Sequence, residues 1–172
     1  MSDNEPTAEV MPTDQDNPTV TPWTETSQRW SEEGTTFLST VRSDGRSHTV
    51  PVGAVLMDDA FYFTSGQDTR KDKNLAANAN CTLATHRDNY DLAVEGTVSR
   101  VTEPALLAQL ADVYTAAGWP VTVQGDAFDA PFSAPTTGPA PYTVYRVTPT
   151  VAFAFGTTED TVSNCTRYRY RF

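Results

Sequence analysis

The sequence predicts a mainly β fold, a mostly antiparallel barrel with flanking helices. About seven segments alternate with period two or are rich in β-forming residues, and tight-turn signals separate several of them. No β-α-β rhythm runs through the chain, and only two or three segments have a helical pattern. With 172 residues, the chain has the length of one domain that can bury a sizeable core.

The chain should begin with a disordered acidic tail over residues 1–22, which hold five acidic residues, no basic residue and few hydrophobic ones. We expect the folded domain to span residues 23–172. It should open with a short helix in which Trp23 and Trp30, seven residues apart, share one face and anchor the core.

Further elements follow from periodicity and turn residues. Strands are predicted over 36–42, 47–57, 60–65, 80–85, 92–101, 142–147 and 151–155, with an alternating segment over 167–172. The first three should form a meander, and Asp44-Gly45 marks its first turn. Helices are predicted over about 69–78 and 103–117. Residues 119–141 have no periodicity and should form a functional or a mobile loop.

Composition excludes several functional classes. A net charge of −10 argues against binding of nucleic acid or of an anionic membrane surface, because both need basic surface. No apolar run approaches the ~20 residues that cross a bilayer, and no secretory signal is visible at the N-terminus. Cys81 and Cys165 have neither metal-site nor disulfide spacing, so we expect buried free thiols and a cytoplasmic location.

A basic cluster stands at the start of the second predicted helix. Lys71 and Lys73 are the only lysines of the chain, and both lie beside Arg70. A helix start already offers unpaired N–H groups and partial positive charge, so Thr69, Arg70 and Lys71 would complete an anion site. A solvated basic helix face is the alternative. The preceding strand ends in two hydroxyl residues, followed by Gly66, which leaves room for close approach.

No acid, base or nucleophile stands out elsewhere. The sequence has no metal-binding motif and no nucleophile motif, and we identify no convincing pair of carboxylates. His48, on a predicted strand, could line a cofactor pocket or be an ordinary strand histidine, and His86 should be exposed in a polar turn. This absence is typical of a protein whose bound cofactor performs the chemistry.

Five segments, in order, resemble the pyridoxamine 5′-phosphate oxidase-like split-barrel family. They are Phe37–Val52, Phe61–Ser65, Thr69–Leu75, Val94–Gly96 and Thr166–Phe172. The third is similar to the flavin-phosphate segment of that family. The last is similar to the ending of an actinobacterial branch of flavin and deazaflavin oxidoreductases. Together the five segments cover roughly residues 23–172, and their combination in this order is more specific to the family than any single segment.

The resemblance implies a six-stranded antiparallel split β-barrel that forms a homodimer and binds FMN or the deazaflavin coenzyme F-420 between its subunits. The cofactor-binding positions that it implies are Val50, Pro51, Val52, Thr64, Ser65, Thr69, Arg70, Lys71, Asn74, Arg167 and Tyr168. Arg70 and Lys71 would hold the phosphate, and residues 50–52 would run beside the ring. Asn74 would brace the helix start or reach the cofactor tail. The last two positions would reach the partner subunit's site.

The expected activity is an FMN- or F-420-dependent oxidoreductase that moves a hydride between cofactor and a small, apolar-ringed or unsaturated substrate. Asp91 stands where the oxidase proper has a flavin-contacting glutamine, and no second basic set would hold a substrate phosphate. Oxidation of pyridoxamine phosphate itself is therefore not expected. The alternatives are a non-enzymatic flavin, deazaflavin or haem binder, acting as carrier or stress-related sensor, and an interaction module that has lost the site.

Overall fold

The computed structural model describes residues 5–14, 16–135 and 137–171 of the chain. Within them, eleven strands and three helices follow in chain order: β1 (Thr7–Val10), α1 (Trp23–Trp30), β2 (Thr36–Val41), β3 (Ser47–Val52), β4 (Ala54–Met57), β5 (Ala60–Gly66), α2 (Arg70–Ala77), β6 (Asn80–Arg87), β7 (Tyr90–Arg100), α3 (Pro104–Ala116), β8 (Thr122–Gln124), β9 (Ala127–Asp129), β10 (Tyr142–Gly156) and β11 (Thr166–Arg169).

All strands belong to one antiparallel sheet, which confirms the mainly β prediction. Its main path runs β1-β11-β10-β7-β6-β2-β3, and the long strand β10 also pairs with β5 and β9. The predicted six-stranded split barrel is confirmed as a mainly β antiparallel fold, but its strand number is wrong. The sheet has eleven strands, and the pairing between the described residues does not join its two ends.

The first hairpins differ from the predicted meander because the segment 47–57 is two strands. Gly53 separates them, so that β3 pairs with β2 whereas β4 pairs with β5. The hydroxyl of Tyr114, on α3, donates to the carbonyl of Gly53 over 3.0 Å and so holds this break in place. The local pattern of residues 47–57 is typical of one continuous strand, and it contains no sign of a hydrogen bond from a distant helix.

Two other differences concern β10 and the long loop. The predicted strands 142–147 and 151–155 are one strand, β10, which continues through an irregularity between Pro149 and Val151. The loop 119–141 contains the short hairpin β8–β9, and β9 adds to the end of β10. Both strands of that hairpin have three residues, too few to show a period.

The N-terminal segment is more ordered than the predicted tail over residues 1–22. Thr7–Val10 pair with β11, and the buried Thr21 donates its N–H to the hydroxyl of Thr166. Glu9 reinforces this edge with a 2.7 Å hydrogen bond from Arg167. Backbone pairing and an ion pair need no apolar periodicity, which explains the difference. Residues 1–4 and 15 lie outside the described residues.

The core confirms the role predicted for the two tryptophans of α1. Trp23 and Trp30 are buried, and Trp30 packs edge-on against Phe61 of β5 with ring centroids 4.9 Å apart. A second apolar cluster forms where α3 packs on the sheet, with Leu107 and Leu110 fully buried. The helix starts and ends within a residue of the predicted bounds.

The two cysteines do not share one environment. Cys81 is buried in β6 as a free thiol, as predicted. Cys165 is also free, but it precedes β11 and is partly exposed, so its predicted burial is wrong. Among the described residues, no helix is long and apolar enough to cross a membrane.

Candidate functional site

A cavity of about 790 Å³ lies where four parts of the fold meet. Its walls are the break between β3 and β4, the end of β5 with the start of α2, the end of α3, and the loop around residues 132–134. None of the described residues that line it is acidic, although the chain carries a net charge of −10. The cavity lining therefore lacks the negative charge that predominates in the sequence as a whole.

One end of the cavity is the start of α2, which forms where the sequence predicts it. Thr69 is the N-cap residue, and its hydroxyl accepts a long hydrogen bond of 3.4 Å from the N–H of Asp72. The same hydroxyl donates to the carbonyl of Gly66 over 2.9 Å and meets the Ser65 hydroxyl at 3.0 Å. These bonds fix the helix start at the end of β5.

Two cations open into this end of the cavity. Neither Arg70 nor Lys71 forms an ion pair with a carboxylate of the described residues, whereas the exposed Lys73 lies 3.7 Å from Asp68. Lys71 is only 9% exposed. Burial lowers its pKa, and the nearby charge of Asp72 partly opposes that shift. A buried cation without a partner of opposite charge is a favourable site for an anion.

The wall beside this end is apolar. Val50 and Val52 are half-buried residues of β3, and Pro51 lies between them. Thr64 is a half-buried residue of β5 whose strand neighbours are buried in the core. The cavity thus brings together most of the positions that the resemblance implied: Val50, Pro51, Val52, Thr64, Thr69, Arg70 and Lys71.

Two of the predicted cofactor-binding residues lie behind the cavity wall. Ser65 is fully buried, and its hydroxyl supports Thr69. Asn74 is also buried, and its side-chain amide donates to the hydroxyl of Thr40 over 2.9 Å. Of the two roles predicted for Asn74, the structure has it bracing α2 against β2, and it does not line the cavity.

Arg167 and Tyr168 lie away from the cavity. Tyr168 is fully buried beneath α1, where its hydroxyl donates to the carbonyl of Thr21 over 2.7 Å and its ring packs against Trp23. A side chain so enclosed cannot contact a cofactor in this or a partner subunit, so its predicted role is not supported. Arg167 donates to Glu9 on the outer edge of the sheet. That Arg167 contacts the site of a partner subunit stays a prediction.

Another part of the cavity lining is aromatic, and its individual residues were not predicted from the sequence. Trp119, just beyond α3, donates its indole N–H to the carbonyl of Phe132 over 2.7 Å and so ties down the loop. Phe132 is 56% exposed, and Tyr114 also lines the cavity. The sequence signal was the length of segment 119–141, which was predicted to be functional or mobile.

The two histidines have different surroundings. His48 lines the cavity, and its buried Nδ1 has no hydrogen-bond partner among the described residues. His86 is exposed, as predicted, and its Nδ1 lies 2.8 Å from Asp91. Asp91, which the resemblance aligned with a flavin-contacting glutamine, therefore pairs with a surface histidine and is not in the cavity wall. No cluster of metal-ligating side chains occurs in the described part of the chain.

Solved structures of other proteins share the fold. The general stress protein 26 from Bacillus anthracis str. Sterne is 17% identical with a TM-score of 0.54, over 74% of this chain and 88% of that protein. An F420 reductase is 21% identical with a TM-score of 0.52, over 73% and 94%. A conserved hypothetical protein from Mycobacterium tuberculosis is 15% identical with a TM-score of 0.61, over 84% and 91%.

Sequence comparison gives the family. No curated protein matches the chain. The family described as pyridoxamine 5′-phosphate oxidase matches residues 23–155, which include the start of α2 and the strands that form the cavity wall. Because that match spans well over half of the sequence, the chain belongs to the pyridoxamine 5′-phosphate oxidase family.

Proposed function

We propose that the protein is an oxidoreductase that binds FMN or coenzyme F-420 in this cavity and transfers a hydride between the cofactor and a small organic substrate. One observation carries the proposal. Arg70 and Lys71, without carboxylate partners among the described residues, open into a cavity whose other described lining residues include no acid and are mostly apolar or aromatic. Membership of the pyridoxamine 5′-phosphate oxidase family and the likeness to an F420 reductase support the same cofactor class.

The residues of the cavity fit the chemistry of both cofactors, each of which carries a phosphate and a planar ring. The phosphate would neutralise Arg70 and the largely buried Lys71 beside the N-cap Thr69. The strand residues 50–52 and Thr64 offer an apolar surface with one hydroxyl for the ring. The bound cofactor supplies the hydride chemistry, while these side chains bind and orient it and exclude water.

The aromatic part of the lining suits a small apolar-ringed or unsaturated substrate. Trp119 and Phe132 present rings there, and Val55 and Ala117 complete the lining. The described lining residues offer no cations beyond Arg70 and Lys71, so a second phosphate would have no partner of its own. Oxidation of pyridoxamine phosphate is therefore not part of the proposal.

We also propose a cytoplasmic homodimer. A row of apolar residues crosses the solvent side of the sheet from strand to strand, through Pro51, Phe37, Ala84, Ala93 and Phe153. The ring of Phe37 is 45% exposed, and a second copy of the chain would cover it. Two free cysteines support a reducing compartment. Sedimentation of a monomer at micromolar concentration would refute the dimer.

Cofactor affinity in three variants of α2 tests the function. Arg70→Ala and Lys71→Ala each remove a charge-assisted contact, which contributes about 1.5–3 kcal/mol, or roughly 10- to 150-fold in affinity. Lys73→Ala is the matched control, since Lys73 is exposed beside Asp68, and it should bind like the wild type. Fluorescence titration with FMN and with F-420 measures all three. Wild-type affinity in both test variants would refute the proposal.

The same titration chooses between the cofactors. Binding of F-420 alone would assign the protein to the deazaflavin-dependent reductases, and preference for FMN would assign it to the flavin oxidoreductases. The second candidate function is a non-enzymatic carrier or stress-related sensor. It is favoured by the lack of any acidic residue among the described lining residues. Tight cofactor binding without turnover, with a panel of electron donors and apolar acceptors, would support this second candidate.

A further inference from the structure

Asp72, in the first turn of α2, directly follows Lys71 in the chain and yet forms no ion pair with it. The Tyr145 hydroxyl donates to its Oδ1 over 2.7 Å, and the N–H of Asp68 donates to its Oδ2 over 3.3 Å. Neither donor lines the cavity. Asp72 and Tyr145 instead line a separate cleft of about 390 Å³. The carboxylate is thus held where it does not neutralise Lys71.

Tyr145 is a rigid anchor for that carboxylate. It lies on β10, is 6% exposed, and its ring stacks on Phe63 of the neighbouring strand β5 with ring centroids 5.3 Å apart. Burial and the adjacent carboxylate both raise the pKa of its hydroxyl well above the ordinary value, so the hydroxyl remains a donor at any usable pH. Because a short O–H···O⁻ bond is among the stronger hydrogen bonds of proteins, the position of the Asp72 carboxylate is well defined.

The charge of Asp72 nevertheless acts at the start of α2. It favours the protonated form of Lys71, so the field of the carboxylate extends to that ammonium group. An anion in the cavity would be stabilised by the same ammonium group and by the partial positive charge of the same helix start. The Asp72 carboxylate and a bound anion therefore repel each other, although they are not in contact.

We propose that Asp72 limits the affinity of the cavity for its anionic ligand, and that Tyr145 sets the strength of this effect by holding the carboxylate away from Lys71. The inference rests on the proposed function only for the identity of the ligand, FMN or F-420. Without Asp72 the ligand would be held more tightly, and without the Tyr145 hydroxyl the carboxylate would be free to pair with Lys71. With both residues, the site binds an anion that can leave again, as a cofactor does when it is exchanged between turnovers.

Removal of the Asp72 charge tests the sign of the effect. Asp72→Asn keeps an acceptor for Tyr145, and it should bind sodium sulfate, FMN and F-420 roughly three- to tenfold more tightly at pH 7 and low ionic strength. Calorimetry measures sulfate, and fluorescence measures the cofactors. Asp68→Asn is the matched control, because it changes the net charge equally but its side chain is 91% exposed beside Lys73, and it should bind like the wild type. The gain in Asp72→Asn should shrink as salt is added.

Removal of the Tyr145 hydroxyl tests the positioning. In Tyr145→Phe the released carboxylate should pair with Lys71, so anion binding should weaken roughly two- to fivefold. In the double variant with Asp72→Asn that loss should disappear, because no carboxylate remains to be released. A loss of the same size in both backgrounds would show that the hydroxyl acts only through the fold, and it would overturn the role of Tyr145.

Urea unfolding verifies that each variant is folded. If Asp72→Asn is not, Asp72→Ser takes its place, since serine is also uncharged and also offers an oxygen that accepts hydrogen bonds. The same gain in affinity is expected. A purely structural role of Asp72 predicts weaker binding in both variants. Wild-type or weaker binding of sulfate and cofactor by a folded variant without the Asp72 charge would therefore overturn the proposal.

The outcomes also distinguish this inference from the function on which it builds. If Asp72→Asn binds sulfate more tightly but no variant binds either cofactor, the role of Asp72 stands and the proposed oxidoreductase fails. If a cofactor binds in a way that depends on Arg70 and Lys71, but no more tightly in Asp72→Asn, the role of Asp72 alone is refuted. If no anion binds to any variant, both are refuted.

Discussion

Replacing Tyr114 by phenylalanine tests whether α3 shapes the cavity by holding the break between β3 and β4. The Tyr114 hydroxyl donates to the carbonyl of Gly53 over 3.0 Å, and the carbonyl of Tyr62 lies 3.3 Å away. Burial raises the pKa of Tyr114 far above its ordinary value, so the hydroxyl remains a donor throughout the usable pH range. Tyr114→Phe keeps the ring and removes the donor to the partly buried carbonyl of Gly53.

Losing a hydrogen bond to a partly buried acceptor costs about 0.5–1.5 kcal/mol of the free energy of unfolding. Urea unfolding should show that loss at an unchanged m-value, and the melting temperature should fall by about 2–4 °C for each kcal/mol. Because Gly53 lines the cavity, cofactor affinity should fall as well. Tyr142→Phe is the matched comparison, since it removes a similar hydrogen bond, of 3.2 Å to the partly buried carbonyl of Gly138, without removing the one to Gly53. Unchanged stability and affinity in Tyr114→Phe would refute the reasoning.

Two further predictions concern a thiol and an edge ion pair. Burial raises the pKa of Cys81 to about 12, so a thiol reagent at pH 8 should modify only Cys165 in the native protein and both cysteines in urea. Rapid modification of both in the native protein would contradict the burial. Hydrogen bonds from Arg167 and Arg169 hold the pKa of Glu9 below its usual range, so its stabilisation exists at neutral pH and is lost as the pH falls through that lowered value. Glu9→Gln should therefore have a lower urea midpoint than the wild type at pH 7, with the difference vanishing in acid, and equal midpoints at pH 7 would contradict the pairing.

Local signals predicted the elements that build the candidate site. The alternation over Thr36–Val41 and the N-cap Thr69 before a basic turn each have a cause within a few residues of the chain, and both elements form where expected. The basic cluster could be recognised because charge and helix start coincide in one short segment. The cavity contacts of residues 50–52 came from the family resemblance, since nothing in a short valine-proline-valine run indicates which side of the strand lines a cavity.

The differences arise from contacts between distant segments. The strand Thr7–Val10 exists because β11 offers it a paired edge, and the two are separated by most of the chain. The alternating residues of β11 indicate a strand, but not which face is internal. Tyr168 faces inward because β11 lies beside β10 beneath α1, where its hydroxyl finds the carbonyl of Thr21. A position assigned from the family pattern alone can thus be a core residue.

The strongly acidic composition and the basic site are compatible because of where the charges lie. At physiological ionic strength, interactions between exposed charges more than ~8 Å apart are largely screened, so most surface carboxylates contribute little inside the cavity. Lys71 is 9% exposed and is screened far less, and no acidic residue lines the cavity among the described residues. The cations at the start of α2 can therefore act on an anion in the cavity although the chain carries a net charge of −10. The sign of the net charge thus does not determine the sign of the charge that lines the cavity.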